Sequence, residues 1–282
     1  MAKKLIINAD DFGIAEDINR GIVECFTQGI VTDMSLLSVG NAFHHADKLA
    51  KTYDIGELGV HLALTGSFEA AAYADKITSL VNKKGRFPKG YVGFLAKFYT
   101  GRIKKTEIYM EFKEQILRVK KMGFIITHLD SHQHIHMVPG ILKIVIELAR
   151  EEDINYIRLP EEKCDFFSKL KDPPGSARHV PLFSMCALSK KMLKISGLKH
   201  NDHFIGHMKA HRLDPEYLKK TVFNIKDGVT ELGCHPGYFT EEVKKKFPQY
   251  KNAERELEAL CDKNFKTEIE KRSIELVSCA NS

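Results

Sequence analysis

The sequence predicts an α/β fold, a parallel sheet covered by helices, in a chain whose length suits a single (β/α) barrel. Three observations carry that expectation. Apolar runs alternate with amphipathic helical patterns from Leu5 to Leu64. Four of the apolar runs along the chain end in Asp or His. The 282 residues leave room for one large core, and no linker, internal repeat or low-complexity tract divides them. One domain over residues 1–282 is therefore expected.

The first element is the run from Leu5 to Gly13, which stops at the adjacent carboxylates Asp10 and Asp11. An apolar run ending in charge reads as a buried strand that empties into a polar site. Neighbouring side chains on an extended chain point to opposite faces, so the two acids should do different jobs. One can bind a metal while the other works as a base.

A helix follows, with Ile14, Ile18, Ile22 and Phe26 four apart and Gly29 as its C-cap. The next strand spans Met34 to Val39. Asn41 then caps a helix that carries Phe43, Ala46 and Leu49 on one face. A third apolar run, Ile55 to Leu64, contains His61. Residues 66–100 break this rhythm. They hold a turn-like tip at 82–86 and an aromatic group of Phe87, Tyr91, Phe94, Phe98 and Tyr99. This segment reads as an insertion over the mouth of the barrel, either a lid or a packed excursion. A long helix with Ile108, Phe112, Ile116 and Val119 on one face comes next.

The strand from Phe124 to Leu129 enters the densest polar stretch of the chain, Thr127 to His136. If the backbone stays extended there, His128, Asp130, His132, His134 and His136 share one face. Packing alone explains such a cluster poorly, because an unpaired buried His or Asp is costly. Pro139 opens a helix that runs to about Arg150, and a strand from Ile154 to Leu159 presents Arg158. Residues 161–211 are hard to read. They contain a Pro-Pro-Gly turn, a helix near Met185 to Ile195, and His200, His203, His207 and His211, which suit a surface or substrate-facing loop. Asp214 and Pro215 start another helix. A short strand, Val229 to Cys234, ends at His235-Pro236-Gly237. Two helical segments and a last strand, Ile274 to Cys279, complete the chain.

Composition excludes several classes. Hydrophobic residues make up 43% and charged residues 28%, an ordinary globular balance. No apolar run reaches the ~20 residues that cross a bilayer. The short apolar run after Lys3 and Lys4 is not expected to act as a signal peptide. The net charge of +6 is mild, and Lys244, Lys245 and Lys246 sit beside Glu241 and Glu242, a solvated helix face rather than a nucleic-acid patch. The six cysteines, Cys25, Cys164, Cys186, Cys234, Cys261 and Cys279, are scattered, which suits free thiols and a cytoplasmic protein.

Strand ends at Asp10/Asp11, at His61, in the His128–His136 cluster and at His235 fall where parallel α/β folds build their sites. One carboxylate and two imidazoles leave coordination positions free for water and substrate, as a hydrolytic metal centre needs. A second carboxylate can take a proton from water, and a histidine opposite can protonate a leaving group.

Four segments carry a resemblance: Asn8-Ala-Asp-Asp-Phe-Gly13, Gly59-Val-His-Leu62, Thr127 to His136, and Cys234-His-Pro-Gly237. In order and spacing they resemble the YdjC-like (ChbG-type) carbohydrate deacetylases, over nearly the whole chain. The resemblance implies a distorted, TIM-like (β/α) barrel, and the inserted 66–100 segment reads as lid-like over its mouth. The resemblance also implies removal of the acetyl group from an N-acetylated sugar, with chito-oligosaccharides the substrates of characterised members. It assigns Asp11, His61 and His132 to the metal, Asp10 to the general base and His235 to protonation of the amine. His128, Asp130, His134, His136 and Arg158 take substrate-contacting or supporting roles. The cofactor it implies is one divalent ion. Family members are usually described with magnesium, whereas two imidazoles and a carboxylate suit zinc and its neighbours, so either ion is expected. The implied partner is a small saccharide, with a homodimer allowed and neither nucleic acid nor membrane involved. With no Trp in the chain, sugar stacking would fall to Tyr or Phe of the 87–99 region. Hydrolysis of another ester or phosphoester, a two-His-one-carboxylate iron(II) oxygenase, and a non-catalytic sugar- or metal-binding barrel stay open as alternatives.

Overall fold

The computed structural model describes residues 2–162, 173–207 and 209–282. Strand β1 (Lys3–Phe12) is the centre of the sheet. On one side it pairs with β6 (Gly228–Cys234), from Lys3 against Gly228 to Ala9 against Cys234. On the other side two strands share it. The short β7 (Ile274–Leu276) pairs with Lys3 to Leu5, and β2 (Asp33–Leu36) takes over from Asn8. With β3 (Glu57–Leu62), β4 (Ile125–Ser131) and β5 (His203–Ile205) the order is β4-β3-β2-β1-β6-β5, every ladder parallel.

The edges of this sheet meet. Leu129 of β4 bridges to Ile157, and Tyr156 bridges to Lys199 just before β5. The expected strand at Ile154 to Leu159 thus makes single bridges instead of a ladder. Its physical reason is the Asn201 side chain, whose Oδ1 accepts from the Leu159 N–H at 2.8 Å and whose amide donates to the Leu159 carbonyl at 2.7 Å. A side-chain amide there replaces backbone pairing and closes a distorted barrel.

The helices cover the outside. They are α1 (Glu16–Thr27), α2 (Phe43–Thr52), α3 (Tyr91–Tyr99), α4 (Lys105–Lys121), α5 (Pro139–Glu151), α6 (Pro173–Ser196), α7 (Pro215–Val222), α8 (Glu241–Lys246), α9 (Ala253–Leu260) and α10 (Lys263–Lys271). Ile18 and Ile22 of α1 bury the face that the periodicity predicts, and α5 buries Ile141, Leu142, Val145 and Leu148. Asp214 caps α7 by accepting from the Tyr217 N–H at 2.8 Å.

Other expectations change. The C-cap of α1 is Gln28, in the right-handed region, and Gly29 lies beyond it. Helix α2 starts at Phe43 with Ala42 before it; Asn41 makes no cap, because the Asn19 amide of α1 and the Gly13 carbonyl already hold Ala42. The Pro-Pro-Gly sequence opens α6, where a first-turn proline loses no helical hydrogen bond. Residues 163–172, within the hard-to-read stretch, lie outside the described residues.

The 66–100 insertion is packed, not detached. Phe68, Phe87 and Phe94 are buried. Helix α4 pins it from below: Glu111 accepts from the N–H groups of Ala71 and Ala72, and Glu107 from that of Ser79. Inside the ring the filling is layered. Ile6, Tyr156, Val277 and Cys279 close one end as a small apolar cluster. Above them the interior turns polar, with Asn8, Asp33, Ser35, His128, Asp130, Arg158 and Glu231 all buried.

Candidate active site

The polar interior opens into a cavity of about 810 Å³ at the carboxyl ends of the strands. Asp10, Asp11, His61, His132, His134 and His235 all line it. The insertion contributes Gly66, Ser67, Phe68, Lys89, Tyr91, Leu95 and Tyr99 to its wall.

Asp10 and Asp11 both reach this cavity although they are adjacent. Strict alternation would send them to opposite faces. The backbone of Asp11 has φ +63°, and the register between β1 and β2 slips between Ala9 and Phe12. This left-handed turn swings Asp11 into the mouth, at a cost Asp tolerates better than most residues.

Asp11, His61 and His132 present one donor atom each within 4.8 Å of one another. Asp11 Oδ1 is 2.9 Å from His132 Nδ1 and 3.3 Å from His61 Nε2. The His61 Nδ1 lies 2.9 Å from Asp130 Oδ1, and Ser35 Oγ donates to Asp130 Oδ2 at 2.9 Å. Asp130 thereby fixes the His61 tautomer, with the proton on Nδ1 and Nε2 turned towards Asp11. Phe68 of the insertion packs edge-on against His132, ring centroids 5.6 Å apart.

Asp10 is held from behind. Arg158 Nη1 and Nη2 each donate to one of its oxygens at 2.7 Å, and the Asn8 amide donates to Oδ1 at 2.7 Å. Arg158 is 0% exposed, and its Nη1 also lies 2.8 Å from Asp130 Oδ2. Its Nε donates to Glu231, whose other oxygen accepts from Tyr156 OH at 3.0 Å. Arg158 therefore organises the floor of the site and does not line the cavity.

The electrostatics fit a cation. Asp10, Asp11, Asp130 and Glu231 are buried together, and Arg158 is the one arginine or lysine buried among the described residues. Burial alone would lower the His61 imidazole, yet the Asp130 and Asp11 carboxylates hold it well above its usual range. Burial would raise Asp11, and His132 and His61 instead hold it well below. Such a cluster of buried carboxylates calls for positive charge. A divalent metal fits both the donor set and the excess of buried carboxylate. A second group, Asp33, His128 and Cys279, also brings three donor atoms within 4.8 Å, deep in the barrel.

His235 lines the same cavity as Asp11, His61 and His132, from the loop after β6. Its backbone N–H is held by Glu256 Oε2 at 2.7 Å, while its ring Nδ1 has no hydrogen-bond partner. Burial lowers its imidazole, and Asp10 and Asp11 pull the other way. The loop docks because Gly21 of α1 comes against Gly237: a Cβ on Gly21 would lie 2.4 Å from the Gly237 Cα.

The polar stretch after β4 does not stay extended. Ser131 ends the strand, and residues His132–Met137 form a tight turn in which Gln133 and His134 have φ of 57° and 53°. Ser131 Oγ accepts from the His136 N–H at 3.0 Å and stabilises the turn. The five residues are thus dealt to different places. His132 joins Asp11, and His134 lines the cavity. His136 is buried against Ser131, its Nε2 3.0 Å from the Arg158 carbonyl oxygen. Asp130 backs His61. His128 lies deeper, its Nδ1 2.8 Å from Thr127 Oγ1, in space that Gly59 leaves free by lacking a Cβ.

Sequence reading missed Tyr250, whose OH donates to Asp11 Oδ2, and Glu256, Glu231 and Ser35. Glu231 carried a signal, a carboxylate inside the apolar strand Gly228–Cys234. The other three are single polar residues with no local pattern. His207 and His211 of the second His group line the cavity.

Comparison with known proteins gives the family and the fold. The family model described as YdjC-like protein matches residues 4–271. A carbohydrate deacetylase from Brevibacillus brevis is 31% identical over 281 residues, 98% of each chain. A carbohydrate deacetylase from Mus musculus is 30% identical over 245 residues, 83% of this chain and 78% of that one. A candidate cellobiose-phosphate cleavage protein from Enterococcus faecalis V583 has the same fold, with a TM-score of 0.79 at 24% identity over 99% of this chain and 98% of that one. Among the described residues no helix is long and apolar enough to cross a membrane.

Proposed function

The chain belongs to the YdjC-like family, and on that premise we propose that it is a metal-dependent carbohydrate deacetylase, hydrolysing the acetamide of an N-acetylated sugar to acetate and an amine. The observation that carries this reading is the pairing of two carboxylates at one strand end. Asp11 stands with His61 and His132, while both oxygens of Asp10 accept from Arg158.

Asp11, His61 and His132 would hold the ion, which polarises the acetamide carbonyl and acidifies water. Asp10 accepts the proton of the attacking water. Its two bonds from Arg158 and one from Asn8 fix the direction of its free lone pairs into the cavity. His235 delivers a proton to the departing nitrogen. The Asp10 and Asp11 charges facing His235 oppose the lowering that burial imposes on its imidazole. Asp130 keeps the proton on His61 Nδ1, so Nε2 stays available. Soft imidazole donors favour zinc over magnesium at this set.

The test is acetate release from a panel of N-acetylated sugars by metal-stripped protein, with Zn²⁺, Mg²⁺, Mn²⁺ or Co²⁺ restored singly. Metal-dependent acetate is the expected result. Its absence from protein that binds the ion would defeat the deacetylase reading. Asp10→Asn and His235→Ala should each lower kcat by ~10²–10⁴-fold while retaining one metal. Turnover near the wild-type rate in either variant would overturn that residue's role.

A further inference from the structure

Asp11 divides its two oxygens between two tasks. Oδ1 faces both imidazoles, at 3.3 Å from His61 Nε2 and 2.9 Å from His132 Nδ1. Oδ2 is turned away and accepts the Tyr250 hydroxyl. Tyr250 comes from a different part of the chain, the short turn Pro248–Tyr250. It is 1% exposed, so its ring cannot swing out to solvent. His211 packs against the ring with centroids 4.7 Å apart, and Phe247 and His235 lie beyond at 6.3 Å and 6.1 Å. A buried phenol facing a carboxylate can only donate, so the bond is fixed in direction as well as place.

We propose that Tyr250 is the positioning residue that restricts Asp11 to one-oxygen ligation of the metal, so that a coordination position is kept for water and substrate. The inference rests on the metal-dependent reading of the site and goes beyond it, to what sets the coordination number. Carboxylates bind metals through one oxygen or two, and nothing in Asp11 itself chooses. A hydrolytic centre with three protein ligands needs its remaining positions free. A second Asp11 oxygen would take one of them. Groups that orient ligands in this way typically contribute 10–100-fold to affinity or activity.

The same loop explains why the restraint comes from a distance. Lys246, Phe247, Pro248 and Gln249 wall the cavity immediately before Tyr250. One short segment therefore shapes the substrate wall and orients the metal carboxylate.

The experiment uses Co²⁺ as the probe in wild-type protein and in Tyr250→Phe, which keeps the buried ring and removes only the hydroxyl. Metal content, visible absorption and steady-state kinetics are measured on both. Each protein should hold one Co²⁺ per chain. The ligand-field absorption of the variant should be weaker, because an added carboxylate oxygen raises the coordination number. Its kcat should fall about 10–100-fold, with KM changed far less. Identical spectra and kcat would overturn the proposal. Loss of Co²⁺ from the variant would also overturn it, since Tyr250 would then merely hold the site together. A wild-type protein that binds no Co²⁺ would defeat the metal reading itself, an outcome visible before the variant is examined.

Discussion

Arg158 is the residue on which the site's charge balance turns. Its guanidinium satisfies Asp10, Asp130 and Glu231 at once, and those carboxylates in turn raise it well above its usual range against the cost of burial. Removing one partner of a buried ionic network leaves the others uncompensated, typically at ~3–5 kcal/mol. Arg158→Met should therefore lower stability by about that much in urea unfolding, and Arg158→Lys by less, because the charge remains while the two-pronged contact is lost. An Arg158→Met protein as stable as wild type would show that the carboxylates find another counter-charge. Asp10, Asp11, His61 and His132 stood out in the sequence as candidates because Asp and His are concentrated at its strand ends. Arg158 was visible as a charge in an apolar strand, but its direction was not. Side-chain identity gives no hint that it points inward to three acids. Tyr250 left no trace at all, since a single tyrosine two residues after Pro248 carries no periodic pattern.

Elements decide where these residues meet. Helix α1 and the His235 loop touch through backbone, Gly21 against Gly237, with the Tyr238 N–H donating to the Asp17 carbonyl at 3.2 Å. No side chain fits between them. Gly21→Ala would gain helix propensity worth about 1 kcal/mol, yet its methyl must push the loop outward. The expected outcome is a net loss of stability together with a fall in kcat, measured by urea midpoint and acetate release, because His235 moves with the loop. A more stable and fully active variant would place the acid elsewhere. The parallel alternation and most helix faces were readable, since their periods are local. Two element-scale expectations failed for non-local reasons. The His128–His136 stretch folds into a turn because Ser131 Oγ accepts from the His136 N–H and two residues accept left-handed backbone. The strand near Arg158 stays irregular because Asn201, distant in sequence, offers a side chain where a backbone was expected.

At the scale of the molecule, the barrel encloses titratable groups that respond to acid in opposite senses. Burial lowers His128 and His136 to about 4, against about 6.5 in an unfolded chain. Between those values the unfolded state binds more protons, so their contribution to stability is full above pH ~6.5 and lost as pH falls through about 4. Burial raises Glu256 to about 8, and its contribution runs the other way, fading as pH rises through that value. Comparing urea midpoints of wild type and His128→Asn from pH 7 to pH 4 isolates one group. The wild type should lose more stability over that range than the variant; parallel curves would mean that His128 is not buried neutral. The closed ring also sets a schedule. Lys3 to Leu5 of β1 are flanked by residues 228–230 on one side and 274–276 on the other. At translation rates of ~5–20 residues per second, the first strand waits on the order of tens of seconds for its last neighbour. The apolar strand made earliest is thus the one completed last, and a growing chain must be kept from pairing Leu5 to Ala9 with another chain's edge until its own tail has left the ribosome.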